Sequence, residues 1–182
     1  MKLFSCTGCG FIHKGDTPPD SCPLCMAPAS EFVEHGGGDA KIDKALQMFK
    51  DGYNCAQVVL ITYCEKYGLD YGTALKLADG LAHGMKRVEV CGIASGAVLV
   101  LGLKYGDTLP KQKNLEKTAH EKTAAFMLEF QKRNKHLRCV DILGYDVTTP
   151  EGMAEHARGN YKESKCSAII ADTMALLEEY GV

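Results

Sequence analysis

Two Cys-x-x-Cys pairs, Cys6-Thr7-Gly8-Cys9 and Cys22-Pro23-Leu24-Cys25, open the chain a dozen residues apart. A segment this short and polar cannot bury enough surface to fold alone, so an ion has to staple it. Four thiolates in two knuckles form a tetrahedral soft-donor site suited to one iron or one zinc ion. Within each pair both sulfurs turn toward the ion while the intervening backbone amides point back at them. Gly10 follows the second ligand, where a knuckle often needs a positive φ that glycine adopts without strain. Phe11, Ile12 and Phe32 are read as a small apolar shield over the metal, and Thr17-Pro18-Pro19-Asp20 as a turn between the arms.

The run from Cys6 through Gly10-Phe11-Ile12-His13-Lys14-Gly15, then Cys22-Pro23-x-Cys25-x-x-Pro28 and Phe32, resembles the short rubredoxin-type domain that ends rubrerythrins. The resemblance implies a mononuclear iron at Cys6, Cys9, Cys22 and Cys25. A structural zinc ribbon is the other reading, since all-thiolate tetrahedral geometry fits both ions. Met26 departs from the pattern of full-length rubredoxins, many of which carry glycine after the fourth ligand.

Beyond this module the 182-residue chain is long enough for one good-sized core. A formal net charge of −2 with no Lys/Arg block argues against a nucleic-acid partner. Nine cysteines, four of them in metal-type pairs and an odd number left over, read as metal and redox use in a reducing compartment rather than a secreted disulfide framework. Met1-Lys2-Leu3-Phe4 is too short for the apolar part of a signal peptide. Val90 to Leu103 is the most apolar run, but fourteen residues with three glycines make a core helix, not a membrane span. The expected setting is the cytoplasm of an anaerobe, with no membrane partner.

His35-Gly36-Gly37-Gly38-Asp39 divides the chain and reads as a flexible linker. The expected organisation is a rubredoxin-like module over 1–34, a glycine-rich linker over 35–40 and an all-α domain over 41–182. Apolar residues at three- and four-residue intervals from Ile42 to Tyr63 predict one long helix ending near Tyr67-Gly68. Further helices are expected from Asp70 to His83, Val88 to Lys104 (central), about Lys113 to Asn134, Cys139 to Leu143, from Pro150, and from a Ser164 cap to about Glu179. The fold class is therefore mostly α, a helical bundle preceded by a small β/loop metal knuckle.

Five cysteines remain: Cys55, Cys64, Cys91, Cys139 and Cys166. Cysteine is often simply buried filler. Cys91 and Cys166 fall in first helical turns with Lys86, Arg87, Lys162 and Lys165 nearby, and Cys139 has Arg138 beside it, all features that lower a thiol's pKa. Cys64, nine residues after Cys55 on one predicted helix, is out of phase with it and reads as core.

Four blocks then carry a second resemblance: Gly52-Tyr53-Asn54-Cys55-Ala56-Gln57, Glu89 to Leu103 around Cys91-Gly92-Ile93-Ala94-Ser95-Gly96, Cys139-x-x-x-Leu143-Gly144 with Thr148-Thr149-Pro150-Glu151-Gly152, and Lys165-Cys166. Over Ile42 to Glu179 the chain is similar to the C_GCAxxG_C_C family of redox-active proteins, related to a domain of split-Soret cytochromes associated with an iron–sulfur centre. The resemblance implies that Cys55, Cys91, Cys139 and Cys166 converge; for Cys55 it is the sole indication. Four converging cysteines suit an iron–sulfur cluster or one or two dithiol couples, and spacing does not decide between them. A cluster of unknown type is favoured because a single-iron centre on the same chain makes best sense beside another one-electron site.

No histidine has Glu three residues before it, as a rubrerythrin-type di-iron bundle would need. Cys-x-x-Cys-His and Gly-x-Gly-x-x-Gly are also missing, so neither covalent haem nor a dinucleotide is indicated. His83 lies near the Cys91 block and reads as a helix-end residue that could approach the site. The expected function is one-electron transfer with redox partner proteins; the alternatives are a thiol/disulfide oxidoreductase and a non-redox zinc-ribbon scaffold. Gly92, Ala94, Ser95, Gly96, Ala97 and Gly102 leave the central helix small enough for close contact, and a homodimer is expected.

Overall fold

A computed structural model describes residues 2–9, 11–35, 40–108, 113–158 and 165–182. Gly10, most of the predicted linker and Ser164 lie outside the described residues, as does the side chain of Ile12.

The N-terminal module is built on three antiparallel strands, β1 (Lys2–Cys6), β2 (Ile12–Gly15) and β3 (Phe32–His35), with β1 in the middle. Phe4 lies opposite His13 on one side and Glu34 on the other, and Cys6 opposite Phe32. Phe4 is the buried anchor of this sheet, whereas Phe11 and Phe32 are only half-buried. The apolar support of the module therefore comes also from the strand before the first ligand, a residue the predicted shield left out.

The remainder is helical, and two helices form its centre: α2 (Cys55–Tyr63) and α4 (Gly92–Tyr105). Both are apolar almost all round, as a helix with no solvent face must be. A Cβ on Gly96 would stand 2.7 Å from the carbonyl oxygen of Ala56, so the two backbones approach at glycine distance. The small residues Gly92, Ala94, Gly96 and Ala97 are thus buried within this chain.

The single long helix expected from Ala40 to Tyr67 is two helices. α1 (Ala40–Lys50) stops before Gly52, whose φ is +110°, and Asn54 starts α2 afresh. The Asn54 side chain accepts from the amides of Ala56 and Gln57, while the Gln57 side chain accepts from the Asn54 amide. This reciprocal cap overrides the continuous apolar period, and it makes Cys55 the first residue of a helix.

Around the central pair lie α3 (Tyr71–Asp79), α5 (Lys113–Asn134), α6 (Cys139–Leu143), α7 (Pro150–Arg158) and α8 (Lys165–Glu179). α3 ends four residues before the expected His83 and α4 starts four after the expected Val88. Between them the chain turns left-handed: His83, Gly84, Met85 and Lys86 all have φ between 52° and 60°. Arg133 ties α5 to α8 through Glu179 at 2.8 Å and Asp172 at 3.5 Å. No described helix is long and apolar enough to cross a membrane.

Candidate metal and cysteine sites

All nine cysteines are free thiols, and eight of them divide into two sets of four. In the first set the sulfurs of Cys6, Cys9, Cys22 and Cys25 lie within 4.8 Å of one another, with Cys9 to Cys22 at 3.4 Å and Cys6 to Cys25 at 3.6 Å. This donor geometry fits a single tetrahedral ion. Cys6 is the last residue of β1, and the second knuckle is closed by Cys22 N–H donating to Ala27 O at 2.7 Å and Met26 N–H to Cys22 O at 2.9 Å. The closing turn leaves Met26 at φ 62°.

Amides point back at the sulfurs as the pattern predicts: those of Gly8 and Cys9 at Cys6, of Phe11 at Cys9, and of Leu24 and Cys25 at Cys22. Burial, chiefly, lifts the Cys9 thiol to about 12. Burial acts the same way on Cys22, but the amides of Cys25 and Leu24 and the neighbouring thiols outweigh it and bring Cys22 down to about 7. Cys22 is thus poised as a thiolate, and a cation must draw the protons off Cys6 and Cys9.

The second set is assembled by tertiary structure. Cys55, Cys91, Cys139 and Cys166 line one cavity of about 140 Å³, while Cys64 lies outside it, fully buried at the end of α2 with its thiol directed at the Ile61 carbonyl. Cys55 is the first residue of α2, Cys91 caps α4, Cys139 begins α6 and Cys166 is the second residue of α8. Four helix N-termini therefore converge on the cavity, each bringing partial positive charge. Cys91 and Cys139 are brought together by a one-residue antiparallel bridge between Val90 and Arg138, with Cys91 N–H donating to Leu137 O at 2.9 Å and Cys139 N–H to Glu89 O at 2.6 Å. The Arg138 guanidinium clasps the Glu89 carboxylate across this bridge at 3.0 and 3.1 Å. Cys55 is seated by absence of a side chain: a Cβ on Gly92 would stand 2.5 Å from its sulfur.

The expectation of lowered thiol pKa values is overturned for Cys91, Cys139 and Cys166, and Cys55 shifts the same way as they do. Burial raises Cys55, Cys91, Cys139 and Cys166, and mutual repulsion of the thiolates adds to it at Cys91, Cys139 and Cys166. Cys139 is pushed up to about 12. Desolvation here exceeds what the helix termini and nearby lysines return.

Two histidines share the cavity, His83 and His156. Their Nε2 atoms are 3.2 Å apart, and the Tyr145 hydroxyl lies 3.1 Å from Nδ1 of His156. Burial first, then Lys86 and His156, lower the His83 pKa to about 4. His156 left no trace in the sequence reading, because an isolated histidine on an amphipathic helix carries no spacing signal. Its position follows from the start of α7, where Gly152 packs so tightly on the Asp146 carbonyl that no side chain fits, and Thr149 Oγ1 accepts from the Gly152 amide at 3.0 Å.

A cleft of about 660 Å³ separates the module from the body. Cys6 and Cys9 face it from one side, and Ile142, Lys165 and Ile169 from the other. Ile142 also lines the second cysteine cavity, so one side chain forms a wall common to both spaces.

Comparison with known proteins agrees with this division. Residues 4–33 match the family model of the rubrerythrin rubredoxin-like domain. Over 34 residues the chain is 47% identical to "Reverse rubrerythrin-1" of Clostridium acetobutylicum, a match spanning 19% of this chain and 19% of that relative. No solved structure matches. Residues 53–180, which include all four cysteines of the second cavity, match the family described as "Putative redox-active protein (C_GCAxxG_C_C)", and the chain belongs to that family.

Proposed function

We propose that the protein is a one-electron carrier with two cysteine-ligated centres. Cys6, Cys9, Cys22 and Cys25 hold one iron in a module of residues 1–34; residues 35–40 link it to a redox domain of residues 41–182. There Cys55, Cys91, Cys139 and Cys166 hold an iron–sulfur cluster. Redox partner proteins supply and remove single electrons, and the protein contributes ligation, shielding and spacing.

The observation that carries this reading is the gathering of four dispersed cysteines at one cavity that shares the Ile142 wall with the cleft over Cys6 and Cys9. A cluster needs cysteine thiolates and gains from helix N-termini that offset its negative charge. Burial raises all four thiols, which opposes a metal ligand and a nucleophile alike, so sulfide content and not thiol acidity separates a cluster from a dithiol couple. Iron rather than zinc in the first set follows from having a second redox centre to serve.

Metal and acid-labile sulfide analysis of anaerobically purified protein, with its absorption spectrum, tests the proposal. The expected result is a red protein whose visible bands bleach on reduction, with iron and sulfide beyond the single N-terminal ion. Stoichiometric zinc and no colour in protein from its native host would remove the electron-transfer role. Absence of sulfide, with thiols lost in pairs on oxidation, would make the second set a thiol–disulfide couple.

A further inference from the structure

We infer that the left-handed segment from His83 to Val88 is a gate over the second cavity, opening to admit what the four cysteines bind. The inference rests on the proposal above only for the identity of what enters.

An opening is needed because the sulfurs lie out of water: burial is the leading cause of the raised pKa at all four. Much of the cavity lining is fixed by the core. Cys55 and Cys91 head helices whose first turns bury Val58, Val59, Ile93 and Ala94 completely, and the Val90–Arg138 bridge ties Cys139 to Cys91. The segment from His83 to Val88 is held more lightly. Met85, Lys86 and Arg87 are exposed. The hydrogen bonds that close the segment are long, 3.3 Å from Met85 N–H to Leu81 O and 3.4 Å from Glu89 N–H to Gly84 O.

Both ends of the segment nevertheless lie on the cysteines. Its first residue directs an amide at the Cys55 sulfur. Its last, Val88, packs with Cys139 and Leu143 in a small cluster apart from the main core. The His83 ring meets His156 with Nε2 atoms 3.2 Å apart, and of α7, which carries His156, only Gly152 is buried. This latch joins two lightly packed elements.

Strain sets the direction of movement. His83, Met85, Lys86 and Val88 have φ between 52° and 57°, a conformation in which the Cβ crowds the following carbonyl. Closing imposes that strain at four residues and opening relieves it, so the segment yields before the walls that carry the core.

The test uses the full chain with its N-terminal set filled by zinc and the second set metal-free. Iodoacetamide is applied under native conditions, and each cysteine is read by mass spectrometry. Cys139 should be labelled about tenfold or more faster than Cys64, which is buried in the core outside the cavity. Met85→Gly and Lys86→Gly should each slow Cys139 labelling about two- to fivefold, the strain relieved in the closed state less the freedom glycine gains in the open one. Met85→Ala keeps the strain and removes the side chain, so it should leave the rate unchanged. Cys139 labelled no faster than Cys64 would mean that the cavity opens only with the whole fold, and would overturn the inference. Equal slowing by alanine and glycine, or none by glycine, would overturn it as well. Loading with iron and sulfide should slow by the same factor in the glycine variants, with final content unchanged. Absence of sulfide would end the proposed cluster and leave the gate standing. Sulfide incorporated with labelling unaltered in the glycine variants would do the reverse.

Discussion

The two cysteine sets use the same ligand type by opposite means. In the first, ligands three residues apart sit on two tight turns, and the sulfurs are already within 4.8 Å of one another. In the second, cysteines separated by 36, 48 and 27 positions meet because four helices start at one cavity. The first site is held by its own local backbone and needs little of the body. The second is a property of the whole helical packing, so its chemistry and the stability of the fold are coupled.

Separating ligation from packing gives the sharpest contrast. Cys91→Ala should abolish the iron and sulfide increment of the second site while leaving the rubredoxin-type spectrum unchanged. Cys64→Ala should do the opposite: full cofactor content, with stability lowered by about 1–3 kcal/mol from the cavity left in the core. Metal analysis beside denaturant unfolding reads both. Loss of cofactor in Cys64→Ala at retained fold would break the distinction.

Glycine substitutions in α4 probe the coupling directly. Gly96→Ala forces a methyl onto the Ala56 carbonyl at 2.7 Å and should cost about 1–3 kcal/mol. Gly92→Ala, 2.5 Å from the Cys55 sulfur, should lose more cofactor than Gly96→Ala for the same loss of stability. Gly102→Ala meets nothing within 4 Å and should stabilise the helix by about 0.5–1 kcal/mol. Equal cofactor loss at Gly92 and Gly96 would mean that packing, not placement of the sulfur, governs loading.

Legibility in the sequence follows the same divide. The first site was readable because Cys-x-x-Cys encodes its geometry in local spacing. The bounds of α5 and α6 and the start of α7 at Pro150 were readable from period and turn residues. The break between α1 and α2 was not, because Ile42 to Tyr63 keeps an apolar period across it and only the Asn54/Gln57 cap and Gly52 interrupt the helix. The four-cysteine gathering came from family resemblance; residue chemistry alone had reached three of the four. The thiol pKa direction was misjudged because a sequence displays nearby lysines but not depth of burial. His156 and Tyr145 became part of the site only through tertiary packing.

Burial raises thiols in both sets, and it links the stability of the metal-free protein to pH. In metal-free protein the buried thiols keep their protons beyond the ordinary value of 9.0, whereas in the unfolded chain they lose them there. Their folded pKa is raised, so the stability they confer is present below about pH 9 and is lost as pH rises toward 12. For Cys139 alone the loss approaches about 1.4 kcal/mol per pH unit in that window. Urea midpoints of the metal-free protein should fall as pH rises from about 9 toward 12, and Cys139→Ala should shallow that fall. Equal slopes would remove Cys139 from the account.

The smallest expected effect lies at Met26, and it belongs to the first set alone. Its φ of 62° is left-handed, its side chain is 74% exposed, and so packing gives little in return. Replacing it by glycine removes a strain of about 1–2 kcal/mol and costs about 0.5–1 kcal/mol in added freedom of the unfolded chain. The net gain of Met26→Gly is therefore about 0.5–1 kcal/mol. Because the knuckle is closed locally, the gain should be confined to the module. Release of the N-terminal ion to a chelator, followed by its visible band, should slow by about two- to fivefold if the strain is relieved on opening. Thermal unfolding of the helical body should not move. A parallel shift in both would mean that the module and body unfold together, and that the local character assigned to the first site is wrong.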